Sequence, residues 1–206
     1  MGHPDYWQQA IAYLGSRDRI MAELISTYPA ETLQNQDNAF YTLTRAIVGQ
    51  QISVKSADAI WQRFASLLDS FTPEAYLQLE PDCLRQCGLS RQKVEYMRNI
   101  ALAWQQGLLT PVAWDKMSDQ EIAKQLMGIR GIGTWTAEMF LIFHLHRPDI
   151  LPLGDIGLIK AIQLHYGQNQ LLSKAQILEI ARMWQPYRTV ATWYLWRSLD
   201  PVVVQY

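Results

Sequence analysis

The chain has 206 residues, 49 % apolar and 18 % charged, with a net charge of −1. That length suits one large domain or two small lobes of an ordinary globular protein. The near-neutral charge excludes a general polyanion binder, which would be strongly basic, so any grip on nucleic acid must come from local geometry and a few placed cations.

Taken in chain order, Met1-Gly2-His3-Pro4-Asp5 lacks the charged-then-apolar start of a secretory signal. The first 35 residues read as helical. In Ala46-Ile47-Val48-Gly49-Gln50-Gln51-Ile52-Ser53, two glutamines between apolar pairs suit a helix end or tight turn. Ser53 then opens a helix carrying Ala57, Ile60 and Phe64. Cys83 and Cys87 are the only cysteines and fall one turn apart on one helix. Two are too few for a disulfide framework, so a cytoplasmic setting is expected, or a nuclear one in a eukaryote. From Ser90 to Gln106 the apolar positions Val94, Met97, Ala101 and Trp104 recur at three- and four-residue steps.

Ser118-Asp119-Gln120-Glu121 is a capping box opening a helix with Ile122 and Leu126, and Ser173-Lys174-Ala175-Gln176 repeats it before Ile177, Ile180 and Met183. Prolines fall between such segments. Only Val202 to Val204 tempts as a strand, and no apolar run nears the roughly 20 residues that cross a bilayer. The expectation is an all-α chain of ten or more short helices, away from membranes. Eight Trp and ten Tyr are abundant aromatics. About three in four are expected in the core, the rest being available to stack on flat ligands.

The informative run is Leu126-Met127-Gly128-Ile129-Arg130-Gly131-Ile132-Gly133-Thr134-Trp135-Thr136-Ala137, where a capped helix enters a Gly-x-Gly turn and an apolar helix leaves it. Glycines there permit φ > 0 and close backbone approach, and the amides of the turn and of the new helix face one way. That is a phosphate cradle needing no cation, or else an ordinary helix–turn–helix corner. Further on, Arg147-Pro148-Asp149-Ile150-Leu151-Pro152-Leu153-Gly154-Asp155 precedes an amphipathic segment. Asp155 reads first as an N-cap, where amides and the helix dipole favour a negative charge. Asp149 lacks both the preceding glycine and the following helix.

The hairpin resembles that of the helix-hairpin-helix family. With a Pro-rich loop and an Asp about 22 residues past the second hairpin glycine, the pattern resembles the helix-hairpin-helix-GPD DNA glycosylase superfamily. Trp135, and Tyr187-Arg188 with Trp196 near the C-terminus, are similar to its 3-methyladenine DNA glycosylase II group. The likeness spans roughly residues 38 to 200. It implies a two-lobed fold with the active-site cleft between lobes, one lobe from 1–36 and 156–206 and the other from 37–155. It implies Asp155 as the catalytic carboxylate and Trp135, Trp196 and Met139 as the pocket for a flipped base. Gln51 would be the wedge in the DNA stack, with Gly131, Gly133, Thr134 and Thr136 contacting DNA.

The same likeness implies double-stranded DNA with damaged bases as partner, a monomer, and excision of cationic N-methylated purines. Strand-nicking members carry a Schiff-base lysine two residues after the second glycine, where this chain has Trp135, so hydrolysis without strand cleavage is expected. Four C-terminal cysteines for an iron–sulfur cluster are lacking, so no cofactor is expected beyond a monovalent cation on the carbonyls of Met127, Ile129 and Ile132. The rival readings are a glycosylase for a deaminated or oxidised purine, and a non-catalytic DNA-binding module.

Overall fold

The computed structural model describes residues 4–29, 32–34, 37–168 and 170–200. Helices α1 (Trp7–Arg17), α2 (Arg19–Thr27), α3 (Ala39–Gly49), α4 (Val54–Ala65) and α5 (Pro73–Leu77) come first. They are followed by α6 (Pro81–Gln86), α7 (Arg91–Gln105), α8 (Pro111–Trp114) and α9 (Asp119–Met127). The last are α10 (Thr134–Phe143), α11 (Ile156–Tyr166), α12 (Lys174–Arg182) and α13 (Arg188–Leu199). No strand occurs among the described residues, and Val202 to Val204 lie outside them. No described helix is long and apolar enough to cross a membrane.

The caps follow the local chemistry. Ser53, Ser90, Ser118 and Ser173 each accept the backbone N–H three residues on. Glu121 and Gln176 close the two capping boxes from the other side. Pro73, Pro81 and Pro111 occupy first turns, where a missing N–H costs nothing. The third apolar position expected on α12 is displaced: the helix ends at Arg182, Met183 is 43 % exposed, and Trp184 takes the buried place.

Contacts divide the chain into two units, Met1–Asn35 with Leu145–Gln205, and Gln36–His144. The second is built around α3, where every residue except Tyr41 and Gly49 is buried, against α4, α7 and α10. Phe40 meets Tyr76 and Trp104 edge-on at 6.0 and 6.1 Å. In the first unit α1, α2 and α11 pack on α13, with Trp7 edge-on to Trp193 at 5.3 Å. The buried Asp18 caps α2 and accepts from the Tyr166 hydroxyl (2.7 Å) and the Trp184 indole (2.9 Å), so its charge is fully engaged.

The border between units falls at Leu145, about ten residues before the expected 155/156. Long-range bonds cause the shift. Thr189 donates its amide to Pro148 O (3.0 Å), its hydroxyl accepts from the Ile150 amide (3.0 Å), and Arg188 grips Asp149, so the Pro-rich loop is held by α13.

Candidate functional site

In the Gln36–His144 unit, α9 ends at Gly128 and the chain turns through 129–133 into α10. Ile129 and Ile132 turn inward, and the Ile132 amide donates to Ile129 O at 3.1 Å. Gly131 has φ +109°, and a Cβ there would lie 2.3 Å from Cγ of Tyr96, so both conformation and space demand glycine. Gly133 differs. Its backbone is extended (φ −98°, ψ −179°) and a Cβ would meet nothing within 4 Å. The start of α10 therefore opens outward without an obstructing side chain, the form of an anion site built from helix amides. Thr134 is exposed beside it.

Thr136, expected to face DNA, is turned inside instead at 1 % exposure, and its hydroxyl accepts from Nε2 of Gln50 at 2.8 Å. The reason is its place on the face of α10 that packs on α3. Trp135 is half-buried and Met139, one turn on, is fully buried.

The end of α3 meets this hairpin. Gln50 caps α3, and its Nε2 also donates to Gly131 O at 3.1 Å. Gln51 follows with φ +58°, left-handed for a residue with a Cβ and costing about 1–2 kcal/mol, and is exposed. From α7, the Lys93 ammonium donates to Val48 O and Gln50 O, both at 2.8 Å. Burial pulls the Lys93 pKa below its usual value. Asn99 Nδ2 donates to Arg130 O (3.1 Å), and Glu95 pairs with Arg130 (2.9 Å). Sequence reasoning passed over Gln50, Lys93 and Tyr96. Lys93 did leave a signal, because a lysine in a helix's first turn opposes the dipole and needs another partner.

In the other unit, Asp155 is the N-cap of α11, its own amide donating to Pro152 O at 2.9 Å. Its Oδ1 accepts from the Leu158 amide (2.7 Å) and from the Trp196 indole N–H (2.8 Å). Gly157 leaves room for that carboxylate: a Cβ would stand 3.1 Å from Oδ1 of Asp155, tighter than an ordinary contact. Asp149 is committed elsewhere, its two oxygens accepting from Nε and Nη2 of Arg188 at 2.6 and 2.8 Å. While Asp149 is paired with a guanidinium, Asp155 is thus anchored by a helix amide and an indole N–H. Such a group can stabilise positive charge developing nearby.

The structure thus joins Asp155 to Trp196 in one unit, and the Gln50–Gln51 turn to Gly131 and Thr136 in the other. Five tryptophans, Trp7, Trp61, Trp114, Trp184 and Trp193, are buried. Both Trp135 and Trp196 stay half-buried, as does Trp104.

A family model described as "HhH-GPD superfamily base excision DNA repair protein" matches residues 44–186. DNA-3-methyladenine glycosylase 1 of Schizosaccharomyces pombe is 31 % identical over 182 residues, covering 86 % of this chain and 80 % of that protein. A solved structure of S. pombe 3-methyladenine DNA glycosylase in complex with abasic DNA superposes with a TM-score of 0.82 at 30 % identity, covering 92 % of this chain and 96 % of that one. The structure of a DNA-3-methyladenine glycosidase from Bacillus halodurans gives 0.75 at 33 % identity, covering 92 % and 88 %.

Proposed function

Because this chain belongs to the HhH-GPD superfamily of base excision DNA repair proteins, we propose that it is a DNA glycosylase. Its substrates are duplex DNA carrying alkylated, cationic purines such as 3-methyladenine or 7-methylguanine. It hydrolyses the N-glycosidic bond and leaves the strand intact. The observation that carries the reading is the Asp155 carboxylate, held by the start of α11 and by Trp196 while Asp149 is spent on Arg188.

An N-alkylated purine departs with the electrons of the glycosidic bond and becomes neutral as it goes. The positive charge passes to the sugar at C1′, where a fixed carboxylate lowers the barrier. Water adds to C1′ and gives up a proton, for which Asp155 is the base. Trp135 and Trp196 are assigned to stacking on a cationic base, an attraction of about 0.5–2 kcal/mol, with Met139 one helical turn after Trp135. No lysine occupies position 135, so no Schiff base forms there.

Amides at the start of α10, with Gly131, Gly133 and Thr134, take a DNA phosphate, and Gln51 enters the stack to fill the space of the extruded nucleotide. Met127, Ile129 and Ile132 carbonyls would hold a sodium or potassium ion, which adds a positive charge toward that phosphate. Neutral oxygens suit a hard monovalent cation, and Ile129 O, already accepting from Ile132 N, keeps its second lone pair for it.

Incubation with methylated duplex DNA, followed by chromatography of the released bases and borohydride treatment, tests the reading. Free 3-methyladenine or 7-methylguanine, uncut strands and no trapped covalent adduct are expected. Release of no base would leave a DNA-binding module, and a trapped adduct would contradict hydrolysis without strand cleavage.

A further inference from the structure

Lys93 is out of place by the rules of its own helix. It sits in the first turn of α7, its amide on the Oγ of the N-cap Ser90 (3.2 Å), where a positive charge faces the positive end of the dipole. It is also half-buried, which costs an ammonium solvation. The reaction described above makes no use of it.

What offsets both penalties is the end of α3. Val48 O and Gln50 O belong to the last carbonyls of that helix, which no amide within it can reach, at the negative end of its dipole. One ammonium satisfies both at 2.8 Å. The second of these carbonyls has a particular consequence. Gln50 O belongs to the peptide unit that leads into Gln51, so fixing it fixes the plane from which the φ of Gln51 is measured. The Gln50 side chain is pinned as well, on Gly131 O and Thr136 Oγ1. Gln51, left-handed and exposed, is the next residue.

The same face of α7 goes on to hold the hairpin. Three residues after Lys93, Tyr96 fills the space over Gly131, and three further on Asn99 donates to Arg130 O. One helix therefore braces the wedge turn at its start and the phosphate-binding turn one to two helical turns later.

We propose that Lys93 is a positioning residue for base extrusion: seated on Val48 O and Gln50 O, it holds Gln51 in the left-handed conformation that aims its side chain into duplex DNA. This rests on the reading of Gln51 as the wedge. Its own contribution is that the wedge is set by an ammonium on α7 rather than by the sequence of the turn.

The test compares Lys93→Met, which keeps the apolar stem, with Gln51→Ala and the double variant. Single-turnover excision is measured on 7-methylguanine paired with cytosine and on 7-methylguanine in a mismatch, with melting followed by circular dichroism. Extrusion of a paired base carries an unstacking and unpairing cost that a mismatch largely removes. Lys93→Met is expected to slow excision of the paired lesion about tenfold and of the mismatched one less than about twofold. In the Gln51→Ala background it should add no further loss, as for two residues acting through one step. Backbone hydrogen exchange at Gln51 and Ile52 should quicken in Lys93→Met while that of α10 stays unchanged.

Lys93→Arg, a cation of different length and shape, is the second variant should Lys93→Met melt too low. It is expected to show the same split at about two- to threefold. Equal losses on both substrates, or losses that multiply in the double variant, would overturn the proposal and leave Lys93 a structural brace. Gln51→Ala excising the paired lesion at the wild-type rate is a different pattern, and would remove the wedge reading and the inference with it.

Discussion

Trp196 joins two chemistries in one side chain. In the proposed function its ring stacks on the flipped base, and in the structure its indole N–H donates to Oδ1 of Asp155 at 2.8 Å. The sequence suggested only the first of these. The two are separable, because phenylalanine keeps a ring and loses the N–H, whereas leucine loses both. A hydrogen bond to a charged group contributes about 1.5–3 kcal/mol, so Trp196→Phe is expected to lower the excision rate of cationic and neutral lesions alike by roughly tenfold or more. Trp196→Leu should add a further loss of about fivefold confined to cationic bases, as cation–π attraction disappears. Rates are read in single turnover, relative to the unaided loss of each base, after circular dichroism has shown intact helices. Full activity in Trp196→Phe would mean that the indole–carboxylate bond is packing and nothing more.

Among the elements, the hairpin shows two glycines of unlike purpose within one motif. Gly131 answers to the fold: at φ +109° with Tyr96 against it, an added methyl strains the backbone and collides with a ring. Gly133 is not required by the fold, since alanine fits its extended backbone and open surroundings, and in the proposed function it serves the phosphate. Gly131→Ala is therefore expected to destabilise the protein by about 1–3 kcal/mol or more in urea unfolding. Gly133→Ala should unfold like wild type yet bind duplex DNA about tenfold more weakly, as a methyl group keeps the phosphate from the amides. Wild-type DNA affinity in Gly133→Ala would sink the idea of a phosphate cradle at the start of α10.

What the sequence made legible at this level was local. Capping serines, first-turn prolines, the helix face of Val94, Met97 and Ala101, and the hairpin itself are written within a few residues of where they act. What escaped was held at a distance. The Asp149–Arg188 pair spans 39 residues, Lys93 reaches 43 and 45 residues back, and Gln50 reaches 86 residues forward to Thr136. Helical periodicity does not encode such pairings. The unit border at Leu145 and the inward turn of Thr136, expected to contact DNA, depend on such pairings.

For the whole molecule, a chain of net charge −1 can serve DNA repair because its binding and its chemistry draw on different sources of field. The Gln36–His144 unit carries the hairpin, whose helix amides need no basic side chain to attract a phosphate. The Met1–Asn35 and Leu145–Gln205 unit carries Asp155, whose negative charge, in the proposed function, is of use only when the sugar becomes positive. Removing that charge should therefore separate the two. The direct measurement is single-turnover excision from methylated duplex DNA by Asp155→Asn beside Asp149→Asn, with the affinity of each for duplex DNA holding an abasic-site mimic. Asp155→Asn is expected to lose excision by a hundredfold to about a thousandfold while its affinity for the mimic stays within about threefold. Full excision by Asp155→Asn, or a loss confined to Asp149→Asn when both variants are folded, would contradict the assignment of Asp155 as the catalytic carboxylate.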